Sequence, residues 1–429
     1  MSERTTKYVI IFSYFLLLIG AITSMALIQT LGCVLLLSYI LTSRINKAML
    51  VVMSMVPNIT AFTISDVGSN FLGLSFLIIL FKLMSGQRVF RLPAFIVIVG
   101  IYLLFISSLR VLNGNFYDFA IVSQIIIVLV AWYNIVKSIN VQSAIKYIEF
   151  FRFGCLLMTI GMIIQYPFEE DGIGRFHAVL DDCNYTGGVS CVLMCVCLLT
   201  YCHKLPIPNN RSYMALALVS GLMSGSRGFM LSTAVALLIL LITKSFGKQT
   251  SKFVFAFLLL LAGFYALYLV GVGPVVTVYD NTIGRTVELN DSHQEGQFMD
   301  VTSGRSLLWA YYMGNSLQDN FTFLFGRGFY NYFKEENGGF GLAAHNMYVS
   351  SIVGIGILGT VLLLFVYFKF IRDNMIGLKR KIGLSFNSLT IAMLTCYFFL
   401  DGMLETRFVS YFAIVLMLVI IWKNKYLSI

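Results

Sequence analysis

Long, nearly uninterrupted runs of apolar residues, separated by short polar segments, are the dominant pattern of this chain. Runs such as 253–273 and 346–368 approach the roughly 20 residues that an α-helix needs to cross a bilayer. The pattern predicts an all-α polytopic membrane protein, with residues 1–429 forming a single integral membrane domain. About fourteen transmembrane helices are expected, near residues 8–21, 24–42, 48–65, 70–85, 93–109, 117–136, 147–165, 185–203, 212–224, 228–243, 253–273, 344–368, 385–401 and 408–422. The first two form one apolar stretch broken only near Gly20, so a count of twelve or thirteen also fits.

Charged residues separate sharply between the two sides that this division creates. The side of the N-terminus carries 22 of the 30 Lys and Arg residues but only 3 of the 20 Asp and Glu residues. By the positive-inside rule, both termini are expected in the cytoplasm. Apolar residues make up 58% of the chain and charged residues 12%, as expected for a protein whose main partner is the lipid bilayer. The net charge of +10 is therefore explained by the basic residues on the predicted cytoplasmic side, and no nucleic-acid partner is predicted.

The longest segment without a spanning pattern is 274–344, an outer loop between the eleventh and twelfth spans. Loops of this length are usually functional or disordered. Within it, residues 305–316 suit an amphipathic helix that carries Arg305 and Trp309, and Arg327 follows between two glycines. The outer side is rich in arginine, whose planar fork matches phosphate oxygens, although pairing with outer carboxylates explains most of these residues equally well. They are Arg110, Arg175, Arg227, Arg285, Arg305, Arg327 and Arg407.

Arg227 interrupts the apolar stretch 212–243. As a single helix that stretch would be about 48 Å long, too much for one span, yet it is too short for two full spans. Basic segments at both ends require an even number of crossings, so two short helices are predicted, with Arg227 at their outer apex. A charge below the membrane surface costs up to about 3 kcal/mol and usually marks a polar site, which favours a functional role for Arg227.

A short outer loop, 166–184, gathers acidic residues together with Arg175. Solvation is the default explanation for Glu169–Asp171, but Asp181 and Asp182 abut a span and are better candidates for a site. His345 and Asn346 begin the twelfth span, where a lone His is more often an interfacial residue than a catalyst. Seven of the eight cysteines lie in or near apolar runs, so no disulfide framework or metal site is visible and no cofactor is predicted.

Several short motifs follow one another through the C-terminal half of the chain. They are Asp182-Cys183-Asn184-Tyr185, Ser226-Arg227-Gly228, Ser-Gly-Arg at 303–305 with Trp309, Phe-Gly-Arg-Gly at 325–328, and His345-Asn346 with Gly356 and Gly359. In this order they resemble the bacterial O-antigen polymerase and O-antigen ligase superfamily over about residues 175–370. The element at 182–185 departs from the pattern, since Cys stands where Pro is usual. Residues before about 175 agree with the family only in hydropathy and span count.

The resemblance implies transfer of a glycan from undecaprenyl pyrophosphate to an acceptor hydroxyl, on the periplasmic face of the bacterial inner membrane. Arg227 and Arg305 would stabilise the leaving pyrophosphate, and His345 would act as general base, with Asp182 in reserve. Asn346 would orient the His or bind sugar. Further substrate contacts are expected from Asn184, Arg175, Arg327 and Trp309.

Four functions are compatible with the sequence and have to be weighed. A metal-independent polymerase that joins lipid-linked repeat units, with a possible chain-length regulator as partner, is favoured over a ligase that transfers glycan to lipid A-core. A lipid-linked oligosaccharide flippase is less favoured, because transporters are typically built from matching halves and none are visible here. A non-catalytic scaffold would leave the embedded Arg227 without a purpose.

Overall fold

The computed structural model describes most of the helical part of the chain. The described residues are 3–58, 71–86, 90–111, 116–165, 178–180, 183–245, 305–328, 344–400 and 406–427, with isolated positions at 168, 247 and within 259–280. The predicted span 253–273 and most of the loop 274–344 fall largely outside them. Asp182 and Arg175 also lie outside the described residues.

The described residues are helical and contain no β-strand. The helices are α1 (Glu3–Ile22), α2 (Ala26–Thr42), α3 (Ile45–Met55), α4 (Phe71–Ser85), α5 (Ala94–Val111), α6 (Phe116–Ser138), α7 (Val141–Gln165), α8 (Cys183–Cys202), α9 (Asn210–Met223), α10 (Arg227–Ile242), α11 (Arg305–Leu317), α12 (Asn320–Phe325), α13 (Met347–Met375), α14 (Arg380–Cys396) and α15 (Thr406–Leu427), with a 3₁₀ turn at Tyr397–Phe399. Among the described residues, 6 helices are long and apolar enough to cross a membrane: α1, α6, α7, α8, α13 and α15. The chain is therefore an all-α, multi-pass membrane protein. The count of fourteen spans and the cytoplasmic termini stay predictions.

The chain folds into two compact units. The first unit comprises Met1–Met158, Trp309–Ile376 and Tyr397–Ile429. Its interior is aromatic: the rings of Tyr367 and Phe412 stack 4.9 Å apart. The buried indole N–H of Trp132 donates to the Ser410 hydroxyl at 3.2 Å. Such internal pairing satisfies polar groups that lipid cannot hydrogen-bond.

The second unit comprises Thr159–Leu308 and Gly377–Cys396, and its core is a close contact between small residues. The hydroxyls of Ser190 in α8 and Ser220 in α9 are hydrogen-bonded at 2.8 Å. A Cβ atom added to Gly187 would lie 2.6 Å from the Ser226 oxygen, so α8 approaches the turn between α9 and α10 without room for a side chain. Small residues at helix contacts are typical of membrane proteins, because they let backbones pack closely.

Helix α13 is broken at Gly356, whose φ of 73° and ψ of 169° are not helical. This region of backbone space is essentially restricted to glycine. The break interrupts the ladder of helical hydrogen bonds, and the carbonyls of Val353 and Gly354 near it accept hydrogen bonds from Arg327 and Gly328. Irregular backbone at membrane depth is tolerated where protein buries it, and Gly356 is buried.

Candidate active site

His345 occupies the turn that directly precedes α13. Its φ of 47° lies in the left-handed region, which is uncommon for residues other than glycine but more accessible to His, Asn and Asp. The next residue, Asn346, is 2% exposed and caps the helix. Its side-chain oxygen accepts hydrogen bonds from the backbone N–H groups of Tyr348 at 3.0 Å and Val349 at 3.2 Å. Asn346 therefore holds the turn that carries His345, while His345 itself stays partly exposed.

Trp309 ties α11 to this turn. Its indole N–H donates to the carbonyl oxygen of Ala344 at 2.7 Å, across 35 residues of sequence. Ala344 is fully buried, so the bond fixes the backbone directly before His345. The Trp of the loop motif and the His-Asn pair, which the sequence presents as separate motifs, thus form one local structure.

The Gly-Arg-Gly segment at 326–328 packs against the break in α13. The backbone N–H of Arg327 donates to the Val353 carbonyl at 2.7 Å, and that of Gly328 donates to the Gly354 carbonyl at 3.1 Å. Gly326 has a φ of 77°, and a Cβ on it would lie 2.5 Å from the Gly354 oxygen. The backbones of two further motifs are therefore in close contact with each other: the segment 325–328 and the glycine segment that follows His345.

The Arg327 side chain lies among groups of its own loop. Its guanidinium donates weakly to the Asn315 carbonyl at 3.5 Å. Hydrogen bonds from the Thr322 hydroxyl and from the backbone N–H groups of Phe321 and Thr322 lower the pKa of Asp319, and the charge of Arg327 lowers it further. These neighbours favour a role for Arg327 in pairing with a carboxylate over a role in binding substrate directly.

Three predicted site residues, Asn184, Arg227 and Arg305, belong to the second unit. Arg227 is the first residue of α10, half-buried, and directly follows Ser226, whose side chain caps that helix at Phe229. The two short helices predicted around Arg227 are present as α9 and α10. Asn184 lies half-buried in the first turn of α8, and Arg305 begins α11.

One arginine that the sequence arguments left out of the site is Arg407, in the first turn of α15. It is 3% exposed in a helix that is otherwise almost wholly apolar at this end. A buried guanidinium requires hydrogen bonds or a counter-charge, so this residue marks a polar position inside the first unit. The sequence indicates Arg407 only as one of the seven arginines predicted on the outer side of the membrane.

No three His, Cys, Asp or Glu side chains among the described residues lie close enough to hold a metal ion. Within the first unit, the partly exposed imidazole of His345 lies on a turn that Asn346 and Trp309 hold in place. An imidazole in such a position can accept a proton.

Comparison with known proteins bears on the same segment. A family model described as O-antigen ligase matches residues 212–364, a region that includes Arg227, Arg305, Trp309, Arg327 and His345. Comparison with the curated proteins finds no match. The resemblance stated from the motifs is confirmed at the level of the superfamily, without a decision between polymerase and ligase. Residues 212–364 are therefore similar to the O-antigen ligase family, in agreement with the resemblance to the O-antigen ligase and polymerase superfamily that the motifs indicate.

Proposed function

We propose that this protein polymerises undecaprenyl-pyrophosphate-linked oligosaccharide repeat units on the periplasmic face of the inner membrane. One observation supports the transfer chemistry, which a polymerase and a ligase share. Within the matched region, His345 lies on a turn held from both sides, by the Asn346 cap and by the hydrogen bond from Trp309 to Ala344. A general base needs such a fixed but reachable position.

The reaction is a single displacement at the anomeric carbon of the lipid-linked sugar. The acceptor hydroxyl oxygen forms the new glycosidic bond as its proton passes to His345. The bond from the anomeric carbon to the pyrophosphate oxygen breaks, and its electron pair leaves with undecaprenyl pyrophosphate. Attack opposite the leaving group inverts the configuration of that carbon. No metal takes part in this scheme.

Two arginines are assigned to the leaving group. Arg227 and Arg305 stabilise the charge that gathers on the pyrophosphate as the bond breaks. Removing one preorganised donor from such a position costs about 10²–10³ in rate. Removing a general base costs about 10²–10⁴. Asp182 is the reserve candidate for the base.

The remaining assignments concern substrate contacts. Asn184, Arg175 and Trp309 are proposed to contact the glycan or the pyrophosphate. Asn346 is proposed to act by positioning His345, since its side-chain oxygen already accepts two backbone hydrogen bonds. Arg327 has the weakest support as a substrate ligand, because its guanidinium donates to the Asn315 carbonyl and its charge acts on Asp319.

A ligase that transfers glycan to lipid A-core is the second candidate, and the match to the family model supports it equally well. Both enzymes use the same donor chemistry and differ in the acceptor. The decisive experiment therefore incubates purified protein with lipid-linked repeat units, with and without lipid A-core, and resolves the products on a gel. A ladder without lipid A-core indicates a polymerase, and transfer only with it indicates a ligase. No transfer from folded protein in either case contradicts both and leaves a flippase to be tested.

The variants in this experiment separate chemistry from folding. His345→Asn removes the base but keeps a residue type that tolerates the left-handed backbone. Arg227→Ala and Arg305→Ala remove the proposed cations, and Arg372→Ala, whose side chain is 75% exposed, is the matched control. We expect the first three to lose the product and the control to retain it. Retention of full activity by His345→Asn would exclude this histidine as the base.

A further inference from the structure

Three aromatic rings from distant parts of the chain meet next to the His345 turn. The rings of Trp309 and Phe398 lie 5.2 Å apart, with their planes at 81°. The ring of Tyr348, three residues after His345, lies 6.1 Å from that of Phe398. They come from α11, the first turn of α13 and the 3₁₀ turn after α14. We name Trp309, Tyr348 and Phe398 the aromatic corner.

The aromatic corner is accessible, unlike the core beside it. Phe398 is 39% exposed, and Trp309 and Tyr348 are half-buried. The neighbouring Tyr397 is 1% exposed and Phe408 is fully buried. Tyr397 therefore packs into the core, while the next residue, Phe398, is exposed on the surface.

The orientation of Trp309 is unusual for a residue that anchors a helix at the membrane surface. Interfacial Trp residues place the polar edge of the ring at the level of the headgroups. Here the indole N–H is directed to the buried carbonyl of Ala344, at 2.7 Å. The bond prevents free rotation of the indole, so its ring stands at a set angle to Phe398. Two ring planes nearly at right angles make a rigid corner whose walls are aromatic.

The chemistry of such a corner suits a sugar. One face of a pyranose ring presents C–H groups that carry a small positive charge, while the hydroxyls project from its edge. Aromatic faces carry negative charge in their π-systems and attract such positively polarised groups. Aromatic side chains also offer large contact areas at low conformational cost. The corner lies next to the proposed base, which has to reach the hydroxyl of the acceptor.

We infer that Trp309, Tyr348 and Phe398 form a carbohydrate-binding site that holds the acceptor sugar against the base His345. The choice of acceptor over donor rests on the function proposed above, while binding of a sugar by the corner does not. Phe398 and Tyr348 are specificity-determining residues in this scheme. They select acceptors whose terminal sugar exposes an apolar face.

The test uses the fluorescence of Trp309. The chain has three Trp residues, and the other two, Trp132 and Trp422, are 0% and 8% exposed. Purified full-length protein is titrated with the lipid-free repeat-unit oligosaccharide while Trp fluorescence is recorded. We expect a saturable change that Trp309→Phe abolishes. Phe398→Leu and Tyr348→Leu should each weaken the affinity about two- to tenfold, as loss of one aromatic contact predicts. Phe105→Leu, at a position 60% exposed in α5, is the matched control and should not change it.

The outcomes separate this site from the proposed function. If His345→Asn binds the oligosaccharide with unchanged affinity but forms no product, both proposals are supported. If wild type binds the oligosaccharide but never transfers glycan, the corner stands as a sugar site and the proposed function fails. A third outcome is that wild type transfers glycan, and that Phe398→Leu and Tyr348→Leu show the same oligosaccharide affinity and the same KM for the acceptor as the control Phe105→Leu. In that case the corner is a cluster of aromatic residues at the membrane interface. That last result overturns the inference.

Discussion

Replacing Gly356 with alanine tests whether the break in α13 requires a glycine at this position of the His-Asn motif. The φ of 73° and ψ of 169° at this residue are essentially restricted to glycine, and a side chain there costs about 1–3 kcal/mol. The new Cβ would also collide with the Leu324 carbonyl, which is backbone and cannot rotate away. The segment 326–328 must then move off α13.

The size of the effect follows from the bonds that this movement breaks. The hydrogen bonds from Arg327 to Val353 and from Gly328 to Gly354 would be lost or lengthened, at about 0.5–1.5 kcal/mol each. Strain and lost bonds together predict that Gly356→Ala lowers the free energy of unfolding by about 2–6 kcal/mol. Because the segment adjoins the proposed site, transfer activity should fall as well.

Two other glycines provide matched controls. Gly377 has a φ of 89° but open space around a Cβ, so Gly377→Ala carries the backbone strain without the collision. Gly314 lies in α11 with open space and a helical backbone, and alanine there should be neutral or slightly stabilising. Thermal unfolding in detergent can be followed with a thiol-reactive dye, because 6 of the cysteines are buried. Gly356→Ala should unfold several degrees below both controls. Unfolding at the temperature of Gly314→Ala would refute the reasoning.

Three further outcomes are expected. Asn346→Ala should lower the free energy of unfolding by about 0.5–2 kcal/mol in the same dye assay, whereas Asn346→Asp, which keeps a capping oxygen, should not. The pKa of Asp319 lies below its ordinary value of 3.8, so its contribution to stability is present above that pH and is lost as the pH falls through the lowered pKa. Asp319→Asn should therefore flatten the acid side of the stability profile, measured by unfolding between about pH 2 and 5; an unchanged profile would contradict this. Gly187→Ala should cost about 1–3 kcal/mol by crowding Ser226, while Gly383→Ala, which has open space, should not; equal unfolding temperatures would exclude close packing at the turn.

The sequence by itself determined the class of the protein and the positions of most helices. Lipid cannot hydrogen-bond the backbone, so each apolar run of sufficient length has to become a helix. The same reasoning located the two short helices on either side of Arg227, which the structure has at Asn210–Met223 and Arg227–Ile242. The motifs also indicated the resemblance to the superfamily, which the family model supports over residues 212–364, because their residue types and order can be read without a structure.

The site depended on contacts that leave no local trace in the sequence. The hydrogen bond from Trp309 joins residues 35 positions apart, and nothing near Trp309 in the chain specifies its partner Ala344. The sequence showed Asn346 beside His345, but only the fold showed its oxygen occupied as a helix cap. Phe398 carried no signal, since one more Phe at the end of an apolar run is unremarkable until its ring is placed beside Trp309. Tertiary packing decides these roles, because a side chain's partner depends on where distant helices bring their ends.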